Sequence, residues 1–179
     1  MVGIIWARKG HAQVLDAMQI LWDQGYNTKL VIVGRQGWSG ESIVRRLRTH
    51  PELGNRLVWL ENASDEMLDK LYRTSSALLG ASEGEGFCLP LIEATRHGMP
   101  IIARDLPIFH EVVGDHAFYF SGLKSLDLAE ALKTWLDLYH RSEHPRSNGI
   151  RWLTWEESVK QLKLVIFESQ WFASWEAGR

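Results

Sequence analysis

The sequence contains a single cysteine, Cys88, among its 179 residues. One cysteine excludes an internal disulfide and is typical of a protein in a reducing compartment. The chain also lacks an excess of charge of either sign, since 20 basic and 22 acidic residues give a net charge of -2. That balance gives no sign of nucleic-acid binding, and no apolar run approaches the roughly 20 residues of a membrane span. An apolar content of 45% therefore predicts one globular domain over residues 1–179.

Two glycine-rich nucleotide motifs are absent as well. The glycines after the apolar run at residues 30–33, which are Gly34, Gly37 and Gly40, are not spaced as Gly-x-Gly-x-x-Gly. Their spacing disfavours a dinucleotide-dependent dehydrogenase. The chain has no Gly-Lys-Ser or Gly-Lys-Thr either, so the sequence excludes a P-loop. A phosphate site in this chain would need a different backbone arrangement.

Short apolar runs alternate with helical patterns along the chain. The predicted strands are residues 2–6, 30–33, 57–60, 77–80, 101–103 and 117–120. The predicted helices are residues 12–24 and 41–50, a helix that follows a loop with Ser64 as its N-cap and has its apolar stripe between Met67 and Tyr72, a segment beginning near residue 89, and residues 109–113, 123–139 and 154–171. In the helix at 123–139, Leu126, Leu132 and Leu136 are predicted to face the core. Continuous apolar strands are typical of a parallel sheet buried on both faces. The pattern predicts a doubly wound α/β sheet of about six strands with helices on both faces.

The most informative stretch, residues 81–94, follows the fourth predicted strand. Ligands bind beyond the carboxyl ends of the strands in a doubly wound sheet. Gly84 and Gly86 are predicted to turn the backbone sharply and to let a ligand approach closely. Pro90 fits the first turn of a helix beginning near Leu89. Such a helix would direct free N–H groups and its positive dipole end at the glycine loop, which makes an anion site.

Two carboxylates accompany this predicted anion site. Glu85 lies in the glycine loop, and Glu93 comes eight residues later, about one turn into the helix. Carboxylates accept hydrogen bonds from sugar hydroxyls, so the pair fits a ligand that carries both phosphates and hydroxyls. The alternative is that Glu83, Glu85 and Glu93 are solvated residues around an ordinary strand-to-helix turn.

The spacing of Glu85 and Glu93 resembles a family signature. Gly-Phe follows the first Glu and Pro-Leu precedes the second, as in the E-x7-E motif of the retaining GT-B glycosyltransferases of family 4. The resemblance extends to Arg8-Lys9-Gly10-His11, to residues 30–34 and to residues 101–120. It implies a Rossmann-like fold, similar to the C-terminal, donor-binding half of a mannosyltransferase-like GT-B enzyme. The acceptor-binding N-terminal domain would then lie outside this chain.

The resemblance also implies roles for particular residues. Lys9 would bind the donor diphosphate, Glu85 would contact the sugar hydroxyls, and these two form the implied catalytic pair. Glu93 would accept hydrogen bonds from the ribose hydroxyls. Backbone N–H groups of residues 86–89 would hold the phosphate and the sugar. Beyond Lys9, Glu85 and Glu93, the implied substrate-binding set consists of Arg8, Gly34, Gly86, Phe87, Cys88 and Leu89.

Two positions depart from the family pattern. Many relatives carry an Arg directly after the glycine of the first strand, whereas this chain has Ile4 there. Family members often have Gly-Phe-Gly after the first Glu, whereas this chain has Gly-Phe-Cys, so Cys88 would narrow the sugar pocket or change the turn. A nucleophilic role for Cys88 is disfavoured because no base partner is evident.

The sequence predicts neither a metal nor a cofactor. His140 and His144 are spaced as i and i+4, but no third ligand accompanies them. The chain also has no Asp-x-Asp, the motif that metal-dependent sugar transferases of another fold use and that GT-B enzymes lack.

The function implied by the resemblance is sugar transfer from a nucleotide diphosphate sugar to an acceptor hydroxyl, with retention, in bacterial polysaccharide synthesis. GDP-mannose is the favoured donor and a UDP-sugar the second choice. The acceptor would be a saccharide or a lipid-linked molecule. The domain alone is expected to bind the donor without turnover. The implied location is cytoplasmic, or the inner face of the membrane through a full-length enzyme.

Two alternatives share these features. Half of a nucleotide-sugar epimerase would have a similar architecture, but it would need its own catalytic acids in the cleft and a second domain. A non-catalytic nucleotide-sugar sensor would look the same in this part of the fold. The sequence alone does not separate these from the transferase.

Overall fold

The computed structural model describes residues 1–171. The helices are α1 His11–Asp23, α2 Glu41–Arg48, α3 Asp65–Thr74, α4 Leu89–Arg96, α5 Pro107–Val113, α6 Ser125–His140 and α7 Trp155–Glu168. The strands are β1 Leu30–Val33, β2 Leu57–Leu60, β3 Leu78–Gly80, β4 Ile101–Arg104 and β5 Phe118–Phe120. Short 3-10 turns cover Ala7–Lys9 and Gly114–His116. The predicted α/β alternation is confirmed.

All strand pairs are parallel, but they form two sheets. β1 pairs with β2, with Leu30 opposite Leu57. The second sheet has the order β3-β4-β5, with Leu78 opposite Ile101. The predicted parallel pairing is therefore confirmed, whereas the single predicted sheet is divided into two within the described residues.

The predicted count of about six strands is wrong, because the described residues contain five. The expected first strand, residues 2–6, makes two isolated bridges instead, from Val2 to Val33 and from Ile5 to Gln36. Gly3 lies between them with φ of 132°, and this residue interrupts the regular extended geometry that a ladder needs. The segment still runs parallel to β1, but within residues 1–171 no bridge joins it to β3.

The core has two parts that hold the loops in place. The larger part packs α1 and α6 onto β1, and its fully buried residues include Val14, Leu15, Ile32 and Leu128. The smaller part lies around Phe109 and is completed by Leu91, Ile101 and Val113. Burying a side chain of this size contributes roughly 1.5–3 kcal/mol. These two clusters anchor the elements that carry the polar loops.

One predicted core residue is on the wrong side of α6. Leu126 is 55% exposed, whereas Leu128, Leu132 and Trp135 are buried. The buried residues follow the i, i+4, i+7 pattern, so a residue two positions before Leu128 must point away from the core. None of the helices within residues 1–171 combines the length and apolar composition needed to cross a membrane.

Candidate functional site

Two loops meet at the carboxyl ends of the strands. The Glu83 N–H donates to the Arg8 carbonyl at 2.8 Å, and the Arg8 guanidinium donates to the Gly84 carbonyl. Gly10 has φ of 73°, and a Cβ at this position would overlap the Ala81 carbonyl oxygen. Only glycine therefore lets the turn before α1 pack against the loop after β3. This contact brings together residues that lie 76 positions apart in the sequence.

Glu85 is the centre of a charged cluster between these loops. Its Oε1 accepts a hydrogen bond from the Lys9 ammonium group and another from Ser82 Oγ at 2.6 Å. Arg8 Nη1 lies 3.7 Å from the other carboxylate oxygen, Oε2. The Glu85 side chain is 6% exposed, so the solvated alternative is wrong for this residue. A nearly buried carboxylate with two cations can orient hydroxyl groups while the cations face an anion.

Arg104 supports this cluster from beneath. It is 5% exposed and stands at the end of β4. Its Nε donates to the Ser82 carbonyl at 3.0 Å, and its Nη2 donates to the Ala81 carbonyl at 3.0 Å and to Gln13 Oε1. Burial lowers the Arg104 pKa, although the Glu83 charge partly opposes that effect. Arg104 therefore fixes the backbone that carries Ser82, and it was not among the predicted site residues.

The turn into α4 is made by Cys88, the residue at which the sequence departs from the Gly-Phe-Gly of many family members. Cys88 precedes α4 with φ of 73° and ψ of 70°, the left-handed region. Gly84 and Gly86 do not have left-handed backbone conformations, although the chain bends at Gly86. The reversal falls at the residue that directly precedes the helix, with Pro90 in the first turn. A Cβ at either glycine would meet no heavy atom within 4 Å, so the space beside them is open.

The Cys88 thiol has the properties of a packed side chain. Burial, followed by the nearby Glu85 charge, raises its pKa to about 11. A thiol with so high a pKa carries almost no thiolate at neutral pH and is a poor nucleophile.

Glu93 is held by a buried tyrosine. The Tyr72 hydroxyl donates to Glu93 Oε2 at 2.6 Å. Tyr72 is 4% exposed and stacks on His97, with ring centroids 5.5 Å apart and an interplanar angle of 4°. Burial is the main cause that raises the Tyr72 pKa, and the hydrogen bond to Glu93 adds to it. Within residues 1–171 the other oxygen, Glu93 Oε1, has no hydrogen-bond partner.

His11 lies beside the cluster without taking part in it. It is 3% exposed, and its Nδ1 has no hydrogen-bond partner among the described residues. Burial is the main cause that lowers its pKa to about 4, so the imidazole is neutral at pH 7. Together with Lys9, Glu85 and Cys88 it lines a small cavity of about 20 Å³.

The remaining predicted residues have simpler surroundings. Gly34 lies apart from the cluster: its carbonyl accepts from Trp59 Nε1 at 3.0 Å, and a Cβ there would overlap the Gly3 carbonyl. The Phe87 and Leu89 side chains are each 50% exposed. The structure thus brings Arg8, Lys9 and Glu85 together and gives Gly34 a packing role.

No metal-binding cluster is visible in the part of the chain that the structure describes. Residues 1–171 contain no group of three or more His, Cys, Asp or Glu side chains that could hold an ion. His144 stacks on Tyr139 with a centroid distance of 5.3 Å, and its Nδ1 lies 3.0 Å from the Pro145 carbonyl oxygen.

Comparison with known sequences identifies relatives of this chain. Residues 1–152 match the family model described as glycosyl transferases group 1. The serotype-specific mannosyltransferase WbdA of Escherichia coli is 52% identical over 162 residues, which are 90% of this chain and 20% of WbdA. The O-antigen chain mannosyltransferase RfbU of Salmonella typhimurium is 30% identical over 118 residues, 66% of this chain and 32% of RfbU. The chain thus spans about a fifth of the length of WbdA.

Solved structures share the fold. The catalytic domain of starch synthase IV from Arabidopsis thaliana, bound to ADP and acarbose, has a TM-score of 0.73 at 16% identity, covering 94% of this chain and 37% of that one. Anabaena HepE in complex with UDP and glucose has a TM-score of 0.66 at 22% identity, covering 82% and 41%. The resemblance drawn from the Glu85 and Glu93 spacing is thus confirmed at the level of family and fold.

Proposed function

Because the chain belongs to the group 1 glycosyl transferases, we propose that residues 1–171 bind the nucleotide diphosphate sugar donor of a mannosyltransferase. The observation that carries the proposal is the cluster of Lys9, Ser82 and Glu85, which two distant loops assemble beside the N-terminus of α4. The cluster combines positive charge for a diphosphate with a fixed carboxylate for sugar hydroxyls.

The diphosphate would lie between the basic turn and α4. Lys9 and Arg8 supply two positive charges, and the first turn of α4 supplies free N–H groups and the positive end of the helix dipole. Charge-assisted hydrogen bonds to phosphate oxygens are roughly twice as strong as neutral ones. The open space beside Gly84 and Gly86 lets the donor reach the backbone here.

The two carboxylates would read different parts of the donor. Ser82 and Lys9 hold one oxygen of Glu85, which leaves Oε2 to accept from a sugar hydroxyl. Tyr72 holds one oxygen of Glu93, which leaves Oε1 to accept from the ribose. Because both carboxylates are positioned before the donor arrives, binding would need little ordering of these side chains.

The transfer step uses the same charges. As the bond between the sugar and the diphosphate breaks and the bond to the acceptor oxygen forms, negative charge builds on the diphosphate, which can take up the proton that the acceptor hydroxyl loses. Lys9 and the N-terminus of α4 would supply preorganised positive potential that stabilises that charge. The acceptor, a saccharide or a lipid-linked molecule, would be positioned by an N-terminal domain. The transferred sugar would keep its anomeric configuration. Without that positioning the chain loses a large part of the rate.

The relatives favour mannose as the sugar and GDP-mannose as the donor. Both WbdA and RfbU are mannosyltransferases, and RfbU acts on an O-antigen chain. The fold itself accepts different nucleotides, since the two solved neighbours contain ADP and UDP. A UDP-sugar is therefore the second donor to test. Nucleotide sugars and a single free cysteine both favour a cytoplasmic location.

A thermal-shift panel of GDP, GDP-mannose, UDP and UDP-glucose tests the proposal. A ligand that binds only the folded state raises the melting temperature as its concentration rises. We expect GDP-mannose to raise it most, and Lys9→Gln to reduce that shift. Lys29→Gln, in the exposed loop before β1, is the matched control and should leave the shift unchanged. A panel in which no nucleotide moves the transition would contradict the proposal.

A further inference from the structure

The small cavity beside the charged cluster contains unused polar groups. Its volume is about 20 Å³. Its polar side chains are those of Lys9, His11, Ser82, Glu85 and Cys88. The other side chains that line it are apolar. We call this space the His11 cavity.

The backbone before α1 brings His11 to this wall. Gly10, with φ of 73°, directly precedes His11, which is the first residue of α1. A Cβ on Gly10 would overlap the Ala81 carbonyl oxygen, so α1 begins in close contact with the loop after β3. The His11 side chain is therefore almost fully buried, at 3% exposure, although it lies at a helix terminus.

The His11 ring has a polar atom without a partner. Nδ1 is buried and makes no hydrogen bond to any residue of the range 1–171. A neutral imidazole has one donor and one acceptor nitrogen, so Nδ1 needs a partner in either tautomer. Buried polar atoms of folded proteins are nearly always paired, with protein groups or with ordered water. The unpaired Nδ1 therefore indicates an occupant of the cavity.

The Glu85 carboxylate has a second unused position at the same cavity. Its Oε1 already accepts from Lys9 and from Ser82 Oγ. Arg8 Nη1 lies 3.7 Å from Oε2, beyond hydrogen-bond distance, and donates to the Gly84 carbonyl instead. Oε2 thus receives no hydrogen bond from the part of the chain that the structure describes. A carboxylate oxygen has two lone pairs, so Oε2 can accept from an occupant of the cavity as well as from a sugar hydroxyl.

The size and the chemistry of the cavity both select water. One buried water molecule needs roughly 10–15 Å³ of space. A cavity of about 20 Å³ therefore has room for one water molecule and none for a sugar ring. Two O–H groups let water donate to two acceptors at once, whereas a sugar hydroxyl has a single hydrogen. Water also accepts hydrogen bonds, so it fits Nδ1 whichever ring nitrogen carries the proton.

We propose that the His11 cavity binds one water molecule that links His11 Nδ1 to Glu85 Oε2, and that His11 thereby positions Glu85 for the sugar of the donor. Lys9 and Ser82 restrain one oxygen of the carboxylate, and the water restrains the other. The group is then held in one orientation before the donor arrives. The positioning role rests on the proposed function, whereas the presence of the water does not.

A high-resolution crystal structure of the chain tests the water directly. We expect one ordered water within about 3.2 Å of both His11 Nδ1 and Glu85 Oε2. His11→Phe should exclude it, because a phenyl ring offers no polar atom. An empty cavity in the original chain would overturn the proposal, whether or not a nucleotide binds. So would a water that contacts Nδ1 without reaching the carboxylate.

Two amide substitutions test the positioning role. Asn places a polar atom near the position of His Nδ1, whereas Gln places one near the position of Nε2. His11→Asn should therefore keep the water and His11→Gln should lose it. Calorimetry gives the ratio of the affinities for GDP-mannose and GDP. This ratio should fall about fivefold in His11→Gln and His11→Phe and less than about twofold in His11→Asn, because Glu85 contacts only the sugar.

The melting temperatures of the three variants separate positioning from folding. A purely structural role of His11 would change the melting temperature and leave the affinity ratio as it is in the original chain. An unchanged ratio in all three variants, or an equal fall in all three, would overturn the positioning role. An original chain that binds neither nucleotide would instead contradict the proposed function, and the crystal structure would still decide whether the water is present.

Discussion

The two ends of the strands satisfy their polar groups in opposite ways. At the carboxyl ends Glu85 has partners in Lys9 and Ser82, and Arg104 holds the loop beneath them. At the amino ends Thr28 Oγ1, Trp135 Nε1 and the Met1 amino group lie in an apolar groove, and the two side-chain atoms have no partner among the described residues. The donor end is therefore preorganised by the chain itself, whereas the groove end is where stability can still be gained.

The largest effect should appear in the pH dependence of stability, and it comes from the groove end. The Met1 amino group has a pKa of about 5 in the fold, against 8.0 when free. Between these values the unfolded chain binds a proton that the folded chain does not, so unfolding free energy rises with pH from 5 to 8. A shift of this size corresponds to about 4 kcal/mol.

Urea unfolding at several pH values measures this slope, and an N-acetylated chain is the control. Acetylation removes the amino group and should flatten the curve between pH 6.5 and 8. A slope of the same sign should remain between about pH 4 and 6.5, because His11 also has a lowered pKa. Identical curves for the two chains would contradict the assignment to Met1.

The next largest effect should come from a substitution that destabilises the loops of the donor end. Arg104→Met should lower the free energy of unfolding by about 3 kcal/mol, because it leaves the buried carbonyls of Ala81 and Ser82 without their donor. Urea unfolding measures the loss. Arg45→Met, on the exposed side of α2, should change stability by less than about 0.5 kcal/mol. A loss as small as the control's would mean that other contacts hold the loop.

The two carboxylates of the donor end should differ by ligand. Glu93→Ala should weaken both GDP and GDP-mannose, because both carry ribose, and Glu85→Ala should weaken GDP-mannose alone. Each lost charge-assisted hydrogen bond should cost about 1.5–3 kcal/mol, roughly a 10- to 150-fold loss of affinity. Calorimetry measures both ligands, and exposed Glu83→Ala is the near-neutral control. Equal weakening of both ligands by Glu85→Ala would rule out its assignment to the sugar.

The smallest effect separates binding from folding at Gly86. A Cβ there meets no protein atom within 4 Å, so Gly86→Ala should change stability by less than about 0.5 kcal/mol. It should still weaken GDP-mannose by about tenfold if the donor approaches the backbone at this point. Tyr26→Phe, remote in sequence from both loops, should leave the affinity unchanged. Unchanged affinity in Gly86→Ala would place the donor elsewhere.

Local patterns predicted the elements that depend on local chemistry. The start of α4 followed from Pro90 and the apolar pattern after Leu89. Ser64 was expected in the loop before α3, and its Oγ accepts from the Met67 N–H at 3.2 Å. The family resemblance assigned Lys9 and Glu85 to one donor site, but their ion pair was not predicted, since no local pattern links residues 76 positions apart.

Features that depend on distant contacts could not be predicted. An apolar run at residues 2–6 indicates a strand. Only the structure shows that, within residues 1–171, this segment makes bridges toward β1 and none to β3. Arg104 looked like a loop residue, and its role depends on carbonyls more than 20 positions away. Tyr72 likewise reads as part of an apolar helix stripe, and its contact with Glu93 is tertiary.

Cys88, whose backbone has the left-handed conformation, is a single thiol whose reactivity can be measured. At pH 7 a thiol of pKa about 11 is ionised in only about one molecule in ten thousand, so alkylating reagents should label this chain slowly. Glu85 contributes to that high pKa, and a bound diphosphate would add negative charge nearby. Donor binding should therefore slow the alkylation of Cys88 further. The labelling rate of this one cysteine reports donor occupancy without an added probe.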